Sequence, residues 1–462
     1  MRKITAITLS MFAGAAMAQT ADEYRLPVEF PLFDKVVFYD GYQSEVVDKD
    51  LDDGVFRLKN SLYSVPVSDA VIDRLGKDLS LEVRIGARCD NYDRMGDFNL
   101  ALVPKGSAKY AYEDVRRIEI ARLITPFMNM NRLPGQVSYS YSIPGVSLIL
   151  RDPDLRARYD FWLEFELFGV PYAANQQVMG CADHNDVFTG WASLLTDDTP
   201  AGADPRNVLV PIYSKQPEER GEINFNNYRE EACDTLGVTT RTFTFEVPED
   251  VTDSRMMFIM SNHGAARGGE EYNRRLHLIY LDGELITTYT PGGVSCEPYR
   301  RVNTQPNGIY GTGAKPDEYW EQISNWCPGA PIPLREIPLG ALRKGTHKFM
   351  IRVPDAEFVG QTGDFRPSLY FQGVTEGTVP LNVKAVEWTI PGVTFTDHGE
   401  TVTIDSSVEL ASTAVYSFDG RLLFGMSHCA GEVDMSSYPT GAYIIVVTEA
   451  DGRTASFKYV RR

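Results

Sequence analysis

Short runs in which apolar and polar residues alternate, cut apart by Gly, Pro, Asn and Asp, recur along the whole of this chain. A period of two sends successive side chains to opposite faces of an extended backbone, so each run predicts a strand with one face in a core. Leu81-Glu82-Val83-Arg84-Ile85, Leu276-His277-Leu278-Ile279-Tyr280-Leu281, Lys348-Phe349-Met350-Ile351-Arg352-Val353 and Tyr443-Ile444-Ile445-Val446-Val447 are runs of this kind. In residues 161–168 the alternation is regular, with Phe161, Leu163, Phe165 and Leu167 on one face and Trp162, Glu164, Glu166 and Phe168 on the other. Two acids thus share a face with two aromatics. Helical periodicity is scarce, and Asp419-Gly420 and Asp451-Gly452 are hairpin signals. The pattern predicts an all-β chain of packed sandwiches rather than an α/β architecture.

At 462 residues, 43% of them hydrophobic, the chain is long enough for two or three cores. Residues 196–205 form a polar, turn-rich linker that predicts a first boundary, and a second follows residues 373–380. The modules expected are residues 19–197, 206–378 and 381–462. Sixty-three acidic residues against 45 basic ones leave a formal charge of −18. Binding phosphate needs a concentrated basic surface, so a nucleic-acid partner is not expected.

Arg2 and Lys3, the apolar residues 4–16 and the small-residue site Ala16-Met17-Ala18 before Gln19 read as a signal peptide over residues 1–18. The apolar run falls short of the roughly 20 residues of a membrane span, and no later segment is expected to span. The expectation is a chain exported to the periplasm, the outer-membrane surface or the medium, where disulfides form. Six cysteines are present, Cys89, Cys181, Cys233, Cys296, Cys327 and Cys429. Spacing alone leaves their pairing open. The six histidines show no clustered ligand pattern, and no Ser-His-Asp signature, P-loop or dinucleotide motif is visible, so neither metal nor cofactor is expected.

Three segments carry chemistry in order. Cys89-Asp90-Asn91-Tyr92-Asp93-Arg94 precedes a strand-like run, and Ile118-Glu119-Ile120-Ala121-Arg122-Leu123-Ile124-Thr125-Pro126-Phe127 follows it. Further on, Ser261-Asn262-His263-Gly264 leads through Gly268-Gly269-Glu270-Glu271-Tyr272 into residues 276–281, with Cys296 and Asn325-Trp326-Cys327-Pro328-Gly329 beyond. This order resembles the peptide-N-glycosidase F family, bacterial amidases that remove N-linked glycans whole from asparagine. The resemblance implies two adjacent antiparallel jelly-roll β-sandwich domains, and the hairpin signals at Asp419-Gly420 and Asp451-Gly452 predict a small C-terminal β-sandwich after them.

The resemblance makes Asp93 the primary catalytic acid and Glu271 its partner. It selects Glu166 over Glu164 as the third acid, although a two-residue slip would keep the face and swap the two. Tyr92, Arg94, Phe168, His263, Tyr272 and Trp326 fall where the family contacts substrate, and Cys296 and Cys327 where it carries a disulfide. The chain also departs from the family. Gly269 and Asn273 stand where a short disulfide loop would flank the glutamate, and Cys89 lacks its usual neighbour. Cys181 and Cys233 are candidates to pair with each other or with Cys89. Tyr92, Tyr272 and Phe168 replace tryptophans, and Ile323 replaces an arginine.

Carboxylates whose environments separate their pKa values can activate water and protonate a leaving amine without metal or serine. The implied substrate is an N-glycosylated peptide or protein, handled by a monomer without a cofactor. The competing reading is a non-catalytic glycan-binding protein on the same scaffold. The last module, with Val415-Tyr416-Ser417-Phe418-Asp419-Gly420-Arg421-Leu422, Tyr438-Pro439-Thr440-Gly441-Ala442-Tyr443 and a basic end, resembles the type IX secretion sorting domains of Bacteroidetes. An accessory β domain that only packs on the enzyme is the alternative.

Overall fold

The alternating runs form strands, and every strand pairing among the described residues is antiparallel. The computed structural model describes residues 28–196, 204–214, 225–226, 239–265, 269–306, 309–320, 322, 325–356, 364–379, 393–408, 410–417, 422–426, 431–449 and 454–461. Residues 1–18, Cys233, Gly268, Ile323, Cys429, both Asp-Gly turns, residues 197–203 of the first linker and residues 380–392 beyond the second boundary lie outside these.

The first sandwich is built from β1 (Val28–Tyr39), β2 (Phe56–Lys59), β3 (Leu62–Pro66), β4 (Leu79–Ala87), β5 (Met95–Pro104), β6 (Arg116–Ile124), β7 (Gln136–Ser142), β8 (Tyr159–Leu167) and β9 (Asp186–Thr196). One sheet runs β1-β9-β4-β7 and the other β6-β5-β8-β3-β2. Their inner faces meet in a core that includes Phe38, Leu81, Val83, Ile85, Phe98, Leu100, Phe161, Leu163, Phe165 and Leu167. The face predicted for residues 161–167 is therefore the inner one. Phe165 is the pivot, its ring centroid 4.2 Å from Phe98 and 4.8 Å from Phe38. A Cβ at Gly190 would stand 2.5 Å from Phe165, so only glycine lets the β9 backbone close over this ring.

The second sandwich follows with β10 (Asn207–Tyr213), β11 (Phe225–Asn226), β12 (Thr240–Val247), β13 (Asp253–His263), β14 (His277–Leu281), β15 (Glu284–Tyr289), β16 (Pro331–Ile332), β17 (Arg335–Pro338), β18 (Gly345–Arg352) and β19 (Asp364–Val374). Its sheets run β10-β19-β13-β17 and β12-β18-β14-β15, around a core that includes Phe243, Phe258, Phe349, Ile351 and Phe371. His277 is wholly buried there, stacked 4.5 Å from Tyr289, and burial holds its pKa down at about 3. It is a neutral packing residue.

The two sandwiches are joined by backbone, polar and apolar contacts. β16 leaves the second half to pair with β6, extending the first half's sheet. Met257 and Tyr370, on β13 and β19, pack into the first core. Between them Arg122 of β6 pairs with Glu119 at 2.6 Å and donates to Ser261 Oγ, at 2.8 Å, and to the Arg366 carbonyl, at 2.7 Å. Arg122 and Glu119 are both buried.

A third core, with Val402, Ile404, Val415, Val433, Ile445 and Val447, lies between two smaller sheets. These sheets are formed by β20 (Val393–Asp397), β21 (Thr401–Ser406), β22 (Leu410–Ser417), β23 (Leu422–Met426), β24 (Glu432–Asp434), β25 (Gly441–Glu449) and β26 (Thr454–Arg461). The chain is thus all-β, two adjacent sandwiches and a small third one. Among the described residues no helix is long and apolar enough to cross a membrane.

Candidate active site

Asp93 lies in the six-residue approach to β5, and its neighbours are tied down on both sides. Cys89 is disulfide-bonded to Cys181, one of the pairings the sequence left open. Asp90, wholly buried, accepts from the backbone N–H of Tyr92 (2.9 Å), from that of Val170 (2.6 Å) and from Arg94 Nε (2.7 Å). On the far side the Arg94 N–H donates to Thr125 Oγ1 at 2.8 Å and the Thr125 N–H to the Arg94 carbonyl at 2.7 Å. Arg94 spends its charge on Asp90 and lies over the Tyr92 ring. Asp90 and Thr125 are thus the residues that hold Asp93 in place. Sequence reading used both as motif members and assigned neither a role.

Glu271 follows β13, on a turn with unusually many backbone carbonyls in use. Asn325 Nδ2 donates to the carbonyls of Glu270 (2.8 Å), Glu271 (2.6 Å) and Asn273 (3.2 Å), and the Asn325 backbone N–H also reaches the Glu271 carbonyl. Asn273 Nδ2 donates to the Gly269 carbonyl at 2.6 Å. The two positions where the family's loop disulfide is absent are therefore bridged by a hydrogen bond. Arg275 adds an ion pair with buried Glu270 at 2.9 Å. Next to Asn325, Cys327 is bonded to Cys296, which anchors the Trp326 turn that carries the strap.

The charge of Glu271, from the second sandwich, bears on Asp93, from the first. Burial, and after it the negative charge of Glu271, raise the Asp93 pKa to about 7 from an ordinary 3.8, with Arg94 only partly offsetting the two. Glu271 is also raised by burial, against hydrogen bonds from the Tyr272 hydroxyl and the Gly264 N–H that favour its charged form. Tyr272 is raised by burial and then by the charge of Glu271, with Asp93 adding to it. Tyr310 also feels the charge of Asp93. Such a pair holds a proton near neutral pH, which ordinary carboxylates do not.

Beside the pair opens a cleft of about 740 Å³ lined by both sandwiches. Tyr92, Asn91, Phe127 and Gln177 come from the first, and Tyr272, Gln305, Ile309, Tyr319 and Gln322 from the second. Rings and amides alternate in this wall, the combination that takes the apolar faces and hydroxyls of sugars. The long segment between β15 and β16 supplies five of its residues. Periodicity does not reach such a loop, and only its Gln and Tyr content could have drawn attention to it.

The remaining residues singled out from the sequence are placed less centrally. Trp326 is buried among Ile124, Ile259 and Ile332, and its Nε1 donates to the Asn262 carbonyl at 2.8 Å. The His263 ring is tilted against that of Trp326, with centroids 5.8 Å apart, and shares a 2.8 Å hydrogen bond with Ser261 Oγ. Phe168 lies across Gly41, against the exposed Tyr42 ring. Glu166 stands opposite Asp97 in the sheet, and its charge bears on Glu164. Glu164 itself is buried on a 2.9 Å ion pair with Arg117 and accepts from Tyr110 at 2.7 Å. Among the described residues Cys89, His184 and Asp186 form the one group with metal-ligand spacing, and the Cys89 sulfur is already bonded to Cys181.

Comparison with known proteins bears on the fold. The family model for the C-terminal part of peptide-N-glycosidase F matches residues 231–371. No curated protein matches the chain. Among solved structures, PNGF-II in one crystal form is 17% identical over 76% of this chain and 66% of that one, with a TM-score of 0.55. A second crystal form gives 17% identity, 76% and 65% coverage and a TM-score of 0.54. The chain spans just under two thirds of those proteins, and at that identity the likeness shows the fold. PNGase F, a glycosylasparaginase from Flavobacterium meningosepticum, is 14% identical over 77% of this chain and 98% of that one. Its TM-score of 0.46 is too loose to carry an argument. The chain thus carries, in its second sandwich, a match to the C-terminal part of peptide-N-glycosidase F, on a fold similar to that of PNGF-II.

Proposed function

We propose that this protein is an exported glycoamidase that hydrolyses the amide between asparagine and the first N-acetylglucosamine of N-linked glycans. The observation that carries this reading is the pair of a half-buried Asp93 and a buried Glu271, one acid from each sandwich and coupled by charge, whose chain neighbours Tyr92 and Tyr272 line an aromatic and amide-rich cleft. Water adds its oxygen to the side-chain carbonyl carbon as the ionised member of the pair takes a proton from it. The C–N bond then breaks, and the protonated member gives its proton to the departing glycosylamine nitrogen. Asparagine becomes aspartate and the glycan leaves whole.

In this reading Tyr272 keeps Glu271 ionised, which leaves the shared proton on Asp93. Glu166 is the third acid, because Glu164 is committed to Arg117 and Tyr110. Tyr92 and Tyr272 stack the first sugar, Arg94 acts through Asp90, and His263, Trp326 and Phe168 shape the surroundings. Residues 19–197 and 206–378 form the catalytic unit, and residues 381–462 a sorting module of the type IX kind.

Incubation of a defined glycopeptide with the purified chain, followed by mass spectrometry, tests the class. Conversion of Asn to Asp with release of intact glycan is expected. A single N-acetylglucosamine left on the peptide would refute the amidase, and an unchanged glycopeptide that binds would favour a glycan-binding protein. Glu166→Gln is expected to slow release more than Glu164→Gln does in the fraction that folds.

A further inference from the structure

The cleft has an apolar rim on its first-sandwich side. Tyr92 and Phe127, both in the cleft wall, have ring centroids 6.0 Å apart, and Tyr172, which is not in the wall, stands 6.2 Å from Tyr92. Two loops continue outward from these rings and carry side chains that a water-facing surface does not call for. Met130 is 36% exposed, Tyr172 58%, Met179 84% and Leu133 93%. Scattered exposed apolar residues are ordinary, but these four lie on two touching loops that also carry the cleft residues Phe127 and Gln177, and so are not scatter.

These loops are braced. Asn131 Nδ2 donates to the Met179 carbonyl at 2.8 Å, the Met130 sulfur lies 3.7 Å from Cys181, and Cys181 is bonded to Cys89 at the start of the Asp93 segment. Asn129 Nδ2 donates to Gln305 Oε1 at 2.9 Å and Arg132 to the Thr304 carbonyl at 2.9 Å, which ties the rim to the opposite wall of the cleft. A surface held in this way loses little freedom when something docks on it. The amides lie inside the cleft and the rim outside it presents methyls and a ring. The two zones therefore suit different chemistry.

We propose that Met130, Leu133, Tyr172 and Met179 dock the polypeptide that flanks the glycosylated asparagine, and that this surface selects substrates with apolar flanking residues. The proposal rests on the glycoamidase reading. An asparagine held at Asp93 brings its neighbours within about 3.5 Å of chain per residue, so two or three flanking residues reach loops that adjoin Tyr92. In folded proteins apolar flanking residues are largely buried, so the rim favours peptides and unfolded chains over compact glycoproteins.

The test uses the full chain and Leu133→Ser/Met179→Ser, with two glycopeptides that carry the same glycan. One has Leu and Phe beside the asparagine, the other Gly and Ser. For the unsubstituted chain kcat/KM is expected to favour the apolar substrate by about 10-fold, chiefly through KM, and in the double variant the ratio is expected to fall to about one. A ratio near one in the unsubstituted chain, or the same ratio in both proteins, overturns the proposal. So does inhibition by free glycan that weakens in the variant, which would make the rim a sugar site. A dimer in sedimentation that the variant converts to monomer would make the occupant a second copy, and overturns it too. If neither substrate loses its glycan, the amidase reading fails by itself. Titration with the two unglycosylated peptides then decides the rim, which stands if only the apolar one binds and the variant weakens it, and falls otherwise.

Discussion

Asp93 is held where its charge is unwelcome, and that circumstance links its chemistry to stability. Its carboxyl, raised to about 7 from 3.8 chiefly by burial and then by Glu271, keeps a proton in the folded chain that the unfolded chain releases near pH 4. Its contribution to stability is therefore greatest below about pH 4, falls as pH rises through the window from 4 to 7, and is least favourable above it. Each unit of such a shift corresponds to about 1.4 kcal/mol. Asp93→Asn, which removes the charge and keeps the shape, is expected to melt above the unsubstituted chain at pH 8 and level with it at pH 4. The same variant is expected to lose glycan release by at least about a thousandfold. Release by the unsubstituted chain is expected to decline as pH climbs through about 7, and a flat profile between pH 6 and 8.5 would sink the assignment of the proton to Asp93.

At the scale of elements, the Glu271 turn is set by donors from a different stretch of chain. Asn325 satisfies three carbonyls of the turn, and Asn273 closes the gap at Gly269. Asn325→Ala leaves these carbonyls to water and lets the turn shift, and a displacement of about 1 Å can cost a hundredfold in rate. The variant is expected to lower kcat by about 10- to 100-fold while KM moves little, and to reduce stability by about 1–3 kcal/mol. Equal losses in kcat for Asn325→Ala and for a variant of similar stability cost elsewhere in the second sandwich would show that the strap is only structural. The alternation in residues 161–167 was legible because it is local, and it placed Phe165 in the core. Burial of Glu164 on the opposite face was not legible, since Arg117 and Tyr110 arrive from other segments to enclose it.

At the scale of the molecule, the site exists because two sandwiches are locked together across Glu119 and Arg122. Removing one partner of a buried ion pair strands the other charge, at a cost of about 3–5 kcal/mol, whereas replacing both with apolar residues is far milder. Arg122→Met is expected to destabilise the chain more than Glu119→Leu/Arg122→Met does, as read by denaturant unfolding. The double variant is expected to keep its fold and still lose activity, because Arg122 also holds Ser261 and the Arg366 carbonyl. Every residue assigned to the candidate site lies before residue 374. A chain ending at residue 379 is therefore expected to release glycan from a peptide as the full chain does, and its inactivity in folded form would show that the last module shapes the cleft.

What the sequence determined by itself is whatever depends on near neighbours along the chain. Period-two alternation marks strands and their buried faces without reference to any other segment, and the all-β class follows from it. Asp93 and Glu271 were recognisable because each sits in a short run of characteristic residues. What only the tertiary structure decided is whatever requires distant segments to meet. That Cys89 bonds Cys181, that Asn325 straps Glu271, that a loop between β15 and β16 walls the cleft, and that two acids 178 positions apart share one environment all depend on approach through space. The pKa of Asp93 belongs to the same class. Burial and a neighbouring charge are properties of the enclosure, and the enclosure is made by both sandwiches together.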